Sequence, residues 1–199
     1  MSPNSADTEP DTSCCYTRRQ WLQTAFGATS LGVFDTADAA VLAPAKMPPQ
    51  IDDELCFPSW ENEGRLITPA DVVLNSAPLV VYPRDPASQI VREKSRINQI
   101  LLLKVDPATL DQTSQRHAVD GVVAFSGVCT HAACAVSEWN GDSRRLICPC
   151  HGSEYDVTQH AKVVAGPAPR PLPGLPIKLS AQRFVISGPF TGKVGLKKL

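Results

Sequence analysis

Two short segments of this 199-residue chain combine cysteine and histidine at spacings that suit a metal centre. The first reads Cys-Thr-His-Ala-Ala-Cys over residues 129–134, and the second reads Cys-Pro-Cys-His-Gly-Ser-Glu-Tyr-Asp over residues 148–156. Each segment offers one thiolate and one imidazole in a tight turn, from Cys129, His131, Cys148 and His151. This is the ligand set of a [2Fe-2S] cluster in which two histidines replace two cysteines on one iron.

Two simpler interpretations use the same residues. Two cysteines and two histidines also suit a structural zinc ion, but zinc needs neither the extra cysteine in each segment nor the Ser and Tyr that follow the second histidine. Zinc-binding cysteines are more often paired as Cys-x2-4-Cys. A framework made only of disulfides leaves both histidines without a role. The iron–sulfur cluster is therefore the preferred interpretation.

On these residues the sequence resembles the Rieske proteins of the quinol–cytochrome c reductase type. Their two segments read Cys-Thr-His-Leu-Gly-Cys and Cys-Pro-Cys-His-Gly-Ser-x-Tyr-Asp. The second matches throughout, whereas Ala132 and Ala133 stand where the first usually carries Leu and Gly. This exchange keeps the ligands but changes the tip that would meet a quinol. The resemblance spans residues 65–192 and implies one Rieske-type [2Fe-2S] cluster.

Two features are expected to enclose the cluster. Cys134 and Cys150 lie beside the ligands, one in each turn, and are placed to form a disulfide between the turns. Closing a loop of that size stabilises the fold by about 3 kcal/mol in the chain-entropy account. The resemblance also implies that Gly166, Pro167 and Pro169 belong to a loop that covers the cluster and excludes water. A ligand for a polyproline-binding groove is the alternative for this Pro-rich segment.

The resemblance further implies which residues set the reduction potential of the cluster. Ser153 would donate a hydrogen bond to a bridging sulfide and Tyr155 one to the sulfur of Cys129, and such bonds stabilise the reduced cluster. His131 and His151 would expose their outer ring nitrogens, so that reduction is coupled to proton uptake. His151 would then be the ring that meets a quinol.

Composition excludes several other classes. The chain is 43% hydrophobic and 20% charged with a formal net charge of −1, which suits one medium globular domain with extensions. No basic excess indicates a nucleic-acid partner, and no glycine pattern for dinucleotides or phosphates occurs.

Residues 1–45 are predicted to be a twin-arginine export signal. Arg18 and Arg19 precede a weakly apolar run over residues 22–34, which is shorter than the roughly 20 residues of a membrane-spanning helix. Small residues around Ala39 and Ala45 suit cleavage. A stable disulfide also favours an oxidising compartment, so we expect a periplasmic protein, with peripheral association with the inner membrane as an option. A cytoplasmic amphipathic helix is the alternative.

The remainder predicts an all-β fold of stacked antiparallel sheets with the two cluster loops at one end. The domain is expected at 65–192, after an acidic, Pro-containing linker at 46–64 and before a basic tail at 193–199. Apolar runs bounded by turn residues predict strands at Val72–Leu74, Leu79–Tyr82, Ile100–Val105, Gly121–Phe125 and Arg145–Ile147, and a hairpin of Pro176–Ser180 with Arg183–Ser187.

Three further predictions concern residues outside the two cysteine-containing segments. Pro107–His117 is predicted to be a helical turn or surface insertion. His117 within it is predicted to be exposed. Cys56 in the linker is predicted to be an inert, partly buried thiol rather than a ligand.

Three functional classes fit a cluster of this kind. The first is the electron-transfer subunit of a respiratory complex that takes an electron from quinol beside a cytochrome b and passes it to a c-type cytochrome. The second is the small subunit of a soluble periplasmic oxidoreductase with a large catalytic subunit, as in arsenite oxidase. The third, an aromatic-ring oxygenase, needs two more histidines and a carboxylate for a mononuclear iron, and only His117 and His160 remain. In the first two classes the chain carries electrons and has no substrate-transforming site of its own.

Overall fold

Ten short strands form two antiparallel sheets in the computed structural model, which describes residues 43–196. Between the strands lie several single turns of 3-10 helix and one α-helix, α1, at Gln112–His117. The predicted all-β class with stacked antiparallel sheets is therefore confirmed. The twin arginines and the apolar run behind them lie outside the described residues.

The larger sheet has six strands in the order β4-β3-β2-β1-β10-β9. In chain order these strands are β1 Glu54–Cys56, β2 Leu79–Arg84, β3 Ile100–Lys104, β4 Val122–Ser126, β9 Ile177–Ser180 and β10 Arg183–Ile186. The hairpin of β9 and β10 turns through Ala181 and Gln182, both with positive φ, as a two-residue hairpin turn requires.

The smaller sheet has four strands in the order β5-β6-β7-β8. These are β5 Glu138–Asn140, β6 Arg145–Cys148, β7 Ser153–Asp156 and β8 Lys162–Ala165. Only β6 was predicted. β5 and β7 each contain a single apolar residue, and the side chains of β8 are exposed or half-buried, so these three strands give little signal in the sequence.

The central strands β3 and β4 divide the interior into two cores. Leu101 and Leu103 of β3 pack in the core that also contains Cys129, Cys148 and Tyr155. The alternate residues Ile100 and Leu102 pack in the other core, against β1, β9 and β10. Because successive side chains of a strand point to opposite faces, both faces of β3 are buried. The two candidate cysteine ligands, Cys129 and Cys148, thus lie in one of the two cores.

The predicted linker at 46–64 is wrong, because β1 lies inside it. β1 pairs with β2 on one side and with β10 on the other. Leu55 and Cys56 within it have no exposed surface. The acidic composition was misleading because Asp53, only 2% exposed, is neutralised by a buried ion pair in which Arg92 Nε lies 2.8 Å from Asp53 Oδ2. The folded unit therefore begins before residue 65.

The predicted strand at Val72–Leu74 is also wrong. A helical turn at Pro69–Asp71 replaces its start, and Leu74 makes only an isolated bridge to Lys104. Thr68 and Asp71 cap this turn, since the backbone N–H and hydroxyl of Thr68 both donate to the Asp71 carboxylate. Such a box, with Pro at the first helical position, favours a helical turn over an extended strand.

The segment Pro107–His117 forms two short helical elements, as predicted, but His117 is not simply exposed. Its ring is half-buried, with its centroid 5.5 Å from that of His160. Asp111 caps α1 by accepting a hydrogen bond from Ser114 N at 2.7 Å. His117 thus packs beside another histidine, in a place remote in sequence from the Cys-His segments.

The predicted basic tail at 193–199 is partly folded. The carbonyl oxygens of Lys193 and Gly195 accept hydrogen bonds from the Arg170 guanidinium. Gly195 is buried at a positive φ of 67°, where a Cβ atom would approach Val128 and Ala133. Residues 193–195 therefore pack against the first cysteine-containing turn.

Candidate metal centre

The first turn, residues 129–134, follows directly from β4 and is closed by its own backbone. Cys129 N donates to Cys134 O at 2.8 Å, and Ala133 N donates to Cys129 O at 3.0 Å. Ala133 has a φ of 57°, in the left-handed region that glycine adopts at least cost. The resemblance described above puts a glycine at this position, so the backbone keeps that shape with an alanine in it.

The second turn joins β6 to β7. Cys148, the last residue of β6, pairs with Ser153, the first residue of β7. Gly152 completes the turn with a φ of 67° and donates from its N–H to Cys148 O at 3.0 Å. The loop thus presents Cys148 inward and His151 outward, since the thiol is 1% exposed and the histidine is exposed.

A disulfide between Cys134 and Cys150 joins the two turns, as predicted, with 6.5 Å between the Cα atoms. Both sulfur atoms and the Sγ atom of Cys148 lie within 4.8 Å of one another. Because the disulfide uses two of these three sulfurs, Cys148 alone retains a thiol for a metal. The other free cysteines among residues 43–196 are Cys129 and Cys56.

The two histidines face each other at the ends of these turns. The ring centroids of His131 and His151 are 4.7 Å apart, with an angle of 86° between the ring planes. His131 Nδ1 is buried and has no hydrogen-bond partner among the described residues. A buried ring nitrogen without a partner is costly unless it binds something, and imidazole is an iron ligand in such clusters. The four side chains could therefore hold a [2Fe-2S] cluster.

The electrostatic environment favours a thiolate at Cys129. Burial raises the pKa of this thiol, but hydrogen bonds from the Tyr155 hydroxyl and from backbone N–H groups of the turn lower the pKa further, to below its usual value. Burial raises the pKa of the Cys148 thiol above the ordinary range, and the neighbouring Cys129 sulfur adds to this. Two buried sulfurs that resist carrying two negative charges together suit a cationic centre between them.

Tyr155 is fully buried beside the first ligand. Its hydroxyl lies 3.1 Å from Cys129 Sγ and also accepts a hydrogen bond from Thr130 N at 3.4 Å. Burial raises the pKa of Tyr155 above its ordinary value, so the hydroxyl keeps its proton at neutral pH. Because the backbone N–H uses an oxygen lone pair, the hydroxyl proton is free to be donated to the sulfur.

Ser153 is buried on the other side of the site. Its oxygen accepts a hydrogen bond from Ala168 N at 3.2 Å. The hydroxyl hydrogen has no acceptor among the described residues and remains available for a cluster sulfide. Gly166 lies so close to β7 that a Cβ atom on it would be 2.5 Å from Ser153 Cα. The Gly-Pro segment at residues 166–169 therefore packs directly against this side of the site.

Three residues of the site were not predicted. Thr130 donates its hydroxyl to Arg170 O at 2.6 Å and so joins the first turn to the Pro-rich segment. Arg96 donates from Nη2 to Ala133 O at 2.9 Å. The adjacency of Thr130 to Cys129 was a usable signal, and Arg170 directly follows the predicted covering loop. Nothing in the sequence indicates that the Arg170 side chain reaches residues 193–195 or that Arg96 approaches the first turn.

Cys56, His117 and His160 lie elsewhere. The Cys56 thiol is fully buried and donates to Tyr82 O at 3.4 Å, and burial raises its pKa to about 12. A thiol that is both buried and protonated is unreactive, as predicted. The His160 ring lies 6.0 Å from the Phe125 ring between centroids.

The fold and the site together define a small β protein in which two disulfide-linked turns bind an iron–sulfur cluster. Residues 79–176 match the family model of the Rieske [2Fe-2S] domain. The chain is a Rieske-domain protein and binds one [2Fe-2S] cluster.

Curated relatives carry the same domain. The chain is 42% identical over 97 residues to a putative respiratory nitrate reductase subunit Rieske of Haloferax mediterranei, covering 48% of this chain and 43% of that protein. It is 29% identical over 113 residues to the cytochrome bc1 complex Rieske iron-sulfur subunit of Corynebacterium glutamicum, covering 52% of this chain and 28% of that protein. The chain thus spans less than half the length of these two relatives.

A solved structure is similar over part of the chain. The soluble domain of Rieske protein II from Sulfolobus acidocaldarius is 25% identical, with a TM-score of 0.36, and the match covers 45% of this chain and 61% of that one. Within residues 43–196, no helix has the length and apolar character needed to cross a membrane.

Proposed function

We propose that this chain is the electron-transfer subunit of a respiratory oxidoreductase, in which it takes one electron from quinol and passes it to a c-type cytochrome. The observation that carries the proposal is the contact of the buried Tyr155 hydroxyl with Cys129 Sγ at 3.1 Å. A hydrogen bond donated to a ligand sulfur stabilises added electron density and makes the centre a better acceptor.

We propose Cys129, His131, Cys148 and His151 as the ligands of the cluster, which supplies a one-electron redox centre when bound. The two buried thiols anchor it in the core, whereas the exposed His151 and half-buried His131 form the edge that a partner can reach. A ring that ligates through one nitrogen leaves its other nitrogen for a hydrogen bond with a partner molecule. Quinol oxidation releases protons with its electrons, so this edge suits a quinol donor.

The covering segment supports this assignment. Thr130 Oγ1 holds the carbonyl of Arg170, and Ser153 Oγ holds the N–H of Ala168, so the segment is fixed to both sides of the site. Excluding water from a cluster is one of the means by which a protein sets its potential. His151, which is exposed, is the proposed ligand that a donor can reach past this segment.

The test is reduction of the purified, cluster-loaded chain by a water-soluble quinol, followed by its reoxidation with ferricytochrome c. We expect the visible spectrum of the cluster to bleach with quinol and to return with the cytochrome. A chain that dithionite reduces and quinol does not would overturn the quinol proposal while leaving the cluster assignment intact.

A second candidate is the small subunit of a periplasmic oxidoreductase with a large catalytic subunit. Ala132, exposed at the tip of the first turn, and Ala133 favour it, because they alter the part of the site that would enter a quinol pocket. The relative of Haloferax mediterranei is itself named as a subunit of a respiratory nitrate reductase. For a partner that oxidises its substrate, that substrate should reduce the cluster in the presence of the partner enzyme, whereas quinol should not. For a partner that reduces its substrate, such as a nitrate reductase, the pre-reduced cluster should be reoxidised when the partner and its substrate are added.

We propose further that the chain is exported to the periplasm by the twin-arginine route, on the basis of Arg18 and Arg19 and of a disulfide that an oxidising compartment would preserve. Replacement of both arginines by lysine should leave the precursor in the cytoplasm. An altered precursor that still reached the periplasm would show that the signal assignment is wrong.

A further inference from the structure

A cavity of about 340 Å³ lies between the residues that follow the covering segment and residues near the end of the described chain. One wall is formed by Pro171, Leu172 and Pro173, which directly follow Arg170 in the chain. The opposite wall is formed by Thr191, Gly192 and Lys193. None of these residues takes part in the site described above. The volume falls within the range of small-molecule sites.

The charges around this cavity have one sign. Its lining residues include the cationic side chains of Arg170 and Lys193 and no carboxylate, whereas burial lowers the pKa of the His160 imidazole and favours its neutral form. Among the described residues Arg170 forms no ion pair, and its guanidinium instead donates from Nη1 to Lys193 O at 2.5 Å and from Nη2 to Gly195 O. Because a guanidinium has five N–H donors, donors remain for a ligand. Carbonyl partners leave its positive charge uncompensated.

His160 supplies a second observation. Its Nε2 atom lies 3.1 Å from Thr191 Oγ1, whereas its Nδ1 atom is buried without a hydrogen-bond partner in the described part of the chain. Thr191 Oγ1 also accepts from Gly174 N at 2.9 Å. The Thr191 hydroxyl therefore hydrogen-bonds both to the imidazole and to the backbone of Gly174. These bonds fix the position of the residues that bound the cavity.

The first of these walls presents an apolar surface. Pro171 is exposed, and Leu172 and Pro173 are buried behind it. A free inorganic anion would gain nothing from this wall and would have to lose its hydration, whereas an organic anion can place its apolar body there. We propose that this cavity binds a small monocarboxylate with an apolar body, whose carboxylate pairs with the Arg170 guanidinium. Arginine suits this role because its planar donors match a carboxylate.

The test compares benzoate with benzamide, its neutral counterpart of nearly the same shape, by calorimetric titration of the cluster-loaded full chain. We expect saturable binding of benzoate that is at least about tenfold tighter than that of benzamide, the lower bound for a charge-assisted hydrogen bond. Arg170→Gln should abolish this preference, and Lys162→Gln, which removes an exposed charge on β8, should leave it unchanged.

A second variant is needed to separate loss of binding from loss of folding, because Arg170 also donates hydrogen bonds to residues 193–195. Gly192 has ordinary φ, and a Cβ atom on it would meet only Pro173, at 3.9 Å. Gly192→Leu should therefore fill the cavity without straining the backbone, and should abolish binding of both compounds while the cluster spectrum is preserved. Equal affinities for the two compounds, no saturable binding, or unchanged benzoate binding in Gly192→Leu would each overturn the proposal.

Discussion

The Tyr155 hydroxyl lies 3.1 Å from the Sγ atom of Cys129, and neither side chain has more than 1% of its surface exposed. In this dry environment a hydrogen bond to sulfur is stronger than in water, and it favours the state with more negative charge. Tyr155→Phe should therefore lower the midpoint potential, with an upper bound of about 60–130 mV for a bond to a charged group of roughly 1.5–3 kcal/mol.

Protein-film voltammetry or a redox titration would measure this shift. Tyr82→Phe is the matched control, because Tyr82 is also mostly buried but lies on β2, paired with Cys56 of β1 and outside the core that contains Cys129. Its midpoint should equal that of the wild type. Equal potentials for Tyr155→Phe and the wild type would mean that the hydroxyl does not donate to the cluster. The quinol proposal would then lose the observation on which it rests.

Ser153→Ala should also lower the potential, and it should loosen the covering segment. The serine oxygen accepts from Ala168 N at 3.2 Å, so its removal leaves a buried N–H without a partner. We expect faster hydrogen exchange at Ala168 in the variant, measured by mass spectrometry. A lower potential with unchanged exchange would assign to Ser153 a bond to the cluster alone.

The ligand set can be tested by metal content. Serine in place of Cys129 or Cys148, and alanine in place of His131 or His151, should each abolish assembly of a cluster with two irons and two labile sulfides. Cys56→Ser is the control, since this thiol is fully buried on β1, outside the core that contains Cys129 and Cys148, and it should retain both irons. Stoichiometric zinc without labile sulfide in the wild type would contradict the ligand assignment.

The sequence was most informative where chemistry restricts the choice of residues. Two Cys-His pairs at short spacing predict a metal centre because few other structures need those side chains so close together. β1 escaped prediction for the opposite reason. Its three residues follow the charged Asp52 and Asp53, and only the tertiary partner Arg92, far along the chain, makes burial of that charge tolerable. Arg96 reaches the site in the same non-local way, which no local pattern records.

This buried ion pair gives a stability prediction. Asp53→Asn leaves the Arg92 charge buried without its main partner and should lower the free energy of unfolding by about 3 kcal/mol, near the low end for a broken buried pair because Asp85 remains 3.8 Å away. Asp52→Asn is the control. Its pair with Lys178 is exposed, so urea unfolding of that variant should differ by less than about 1 kcal/mol. Equal losses in both variants would show that the Asp53–Arg92 pair is not decisive.

The disulfide should matter for retention of the cluster rather than for ligation. Replacing Cys134 and Cys150 together by serine removes the covalent connection between the two turns, for which about 3 kcal/mol is expected at this loop length. We expect the cluster to assemble and then to bleach at lower temperature or denaturant concentration than in the wild type. Reduction of the wild-type disulfide should have the same effect. A double variant without any cluster would indicate that one of these cysteines is a ligand.

Ala133 occupies a conformation that its side chain disfavours. Its φ is 57°, and three hydrogen bonds hold it there, from its own N–H to Cys129 O, from Cys129 N to Cys134 O, and from Arg96 Nη2 to its carbonyl oxygen. A left-handed alanine costs roughly 1–2 kcal/mol, and glycine removes that cost while making the unfolded chain more flexible. Ala133→Gly should therefore stabilise the protein by up to about 1 kcal/mol, measured by chemical unfolding of the cluster-loaded form. Ala132→Gly is the control, at a neighbouring position without positive φ. It only makes the unfolded chain more flexible and should destabilise the protein by roughly 0.5–1 kcal/mol. The hydrogen-bond donors to the cluster are the same in both variants, so the midpoint potential should not change in either. If Ala132→Gly stabilised the protein as well, backbone strain at Ala133 would not be what lowers the stability of this turn.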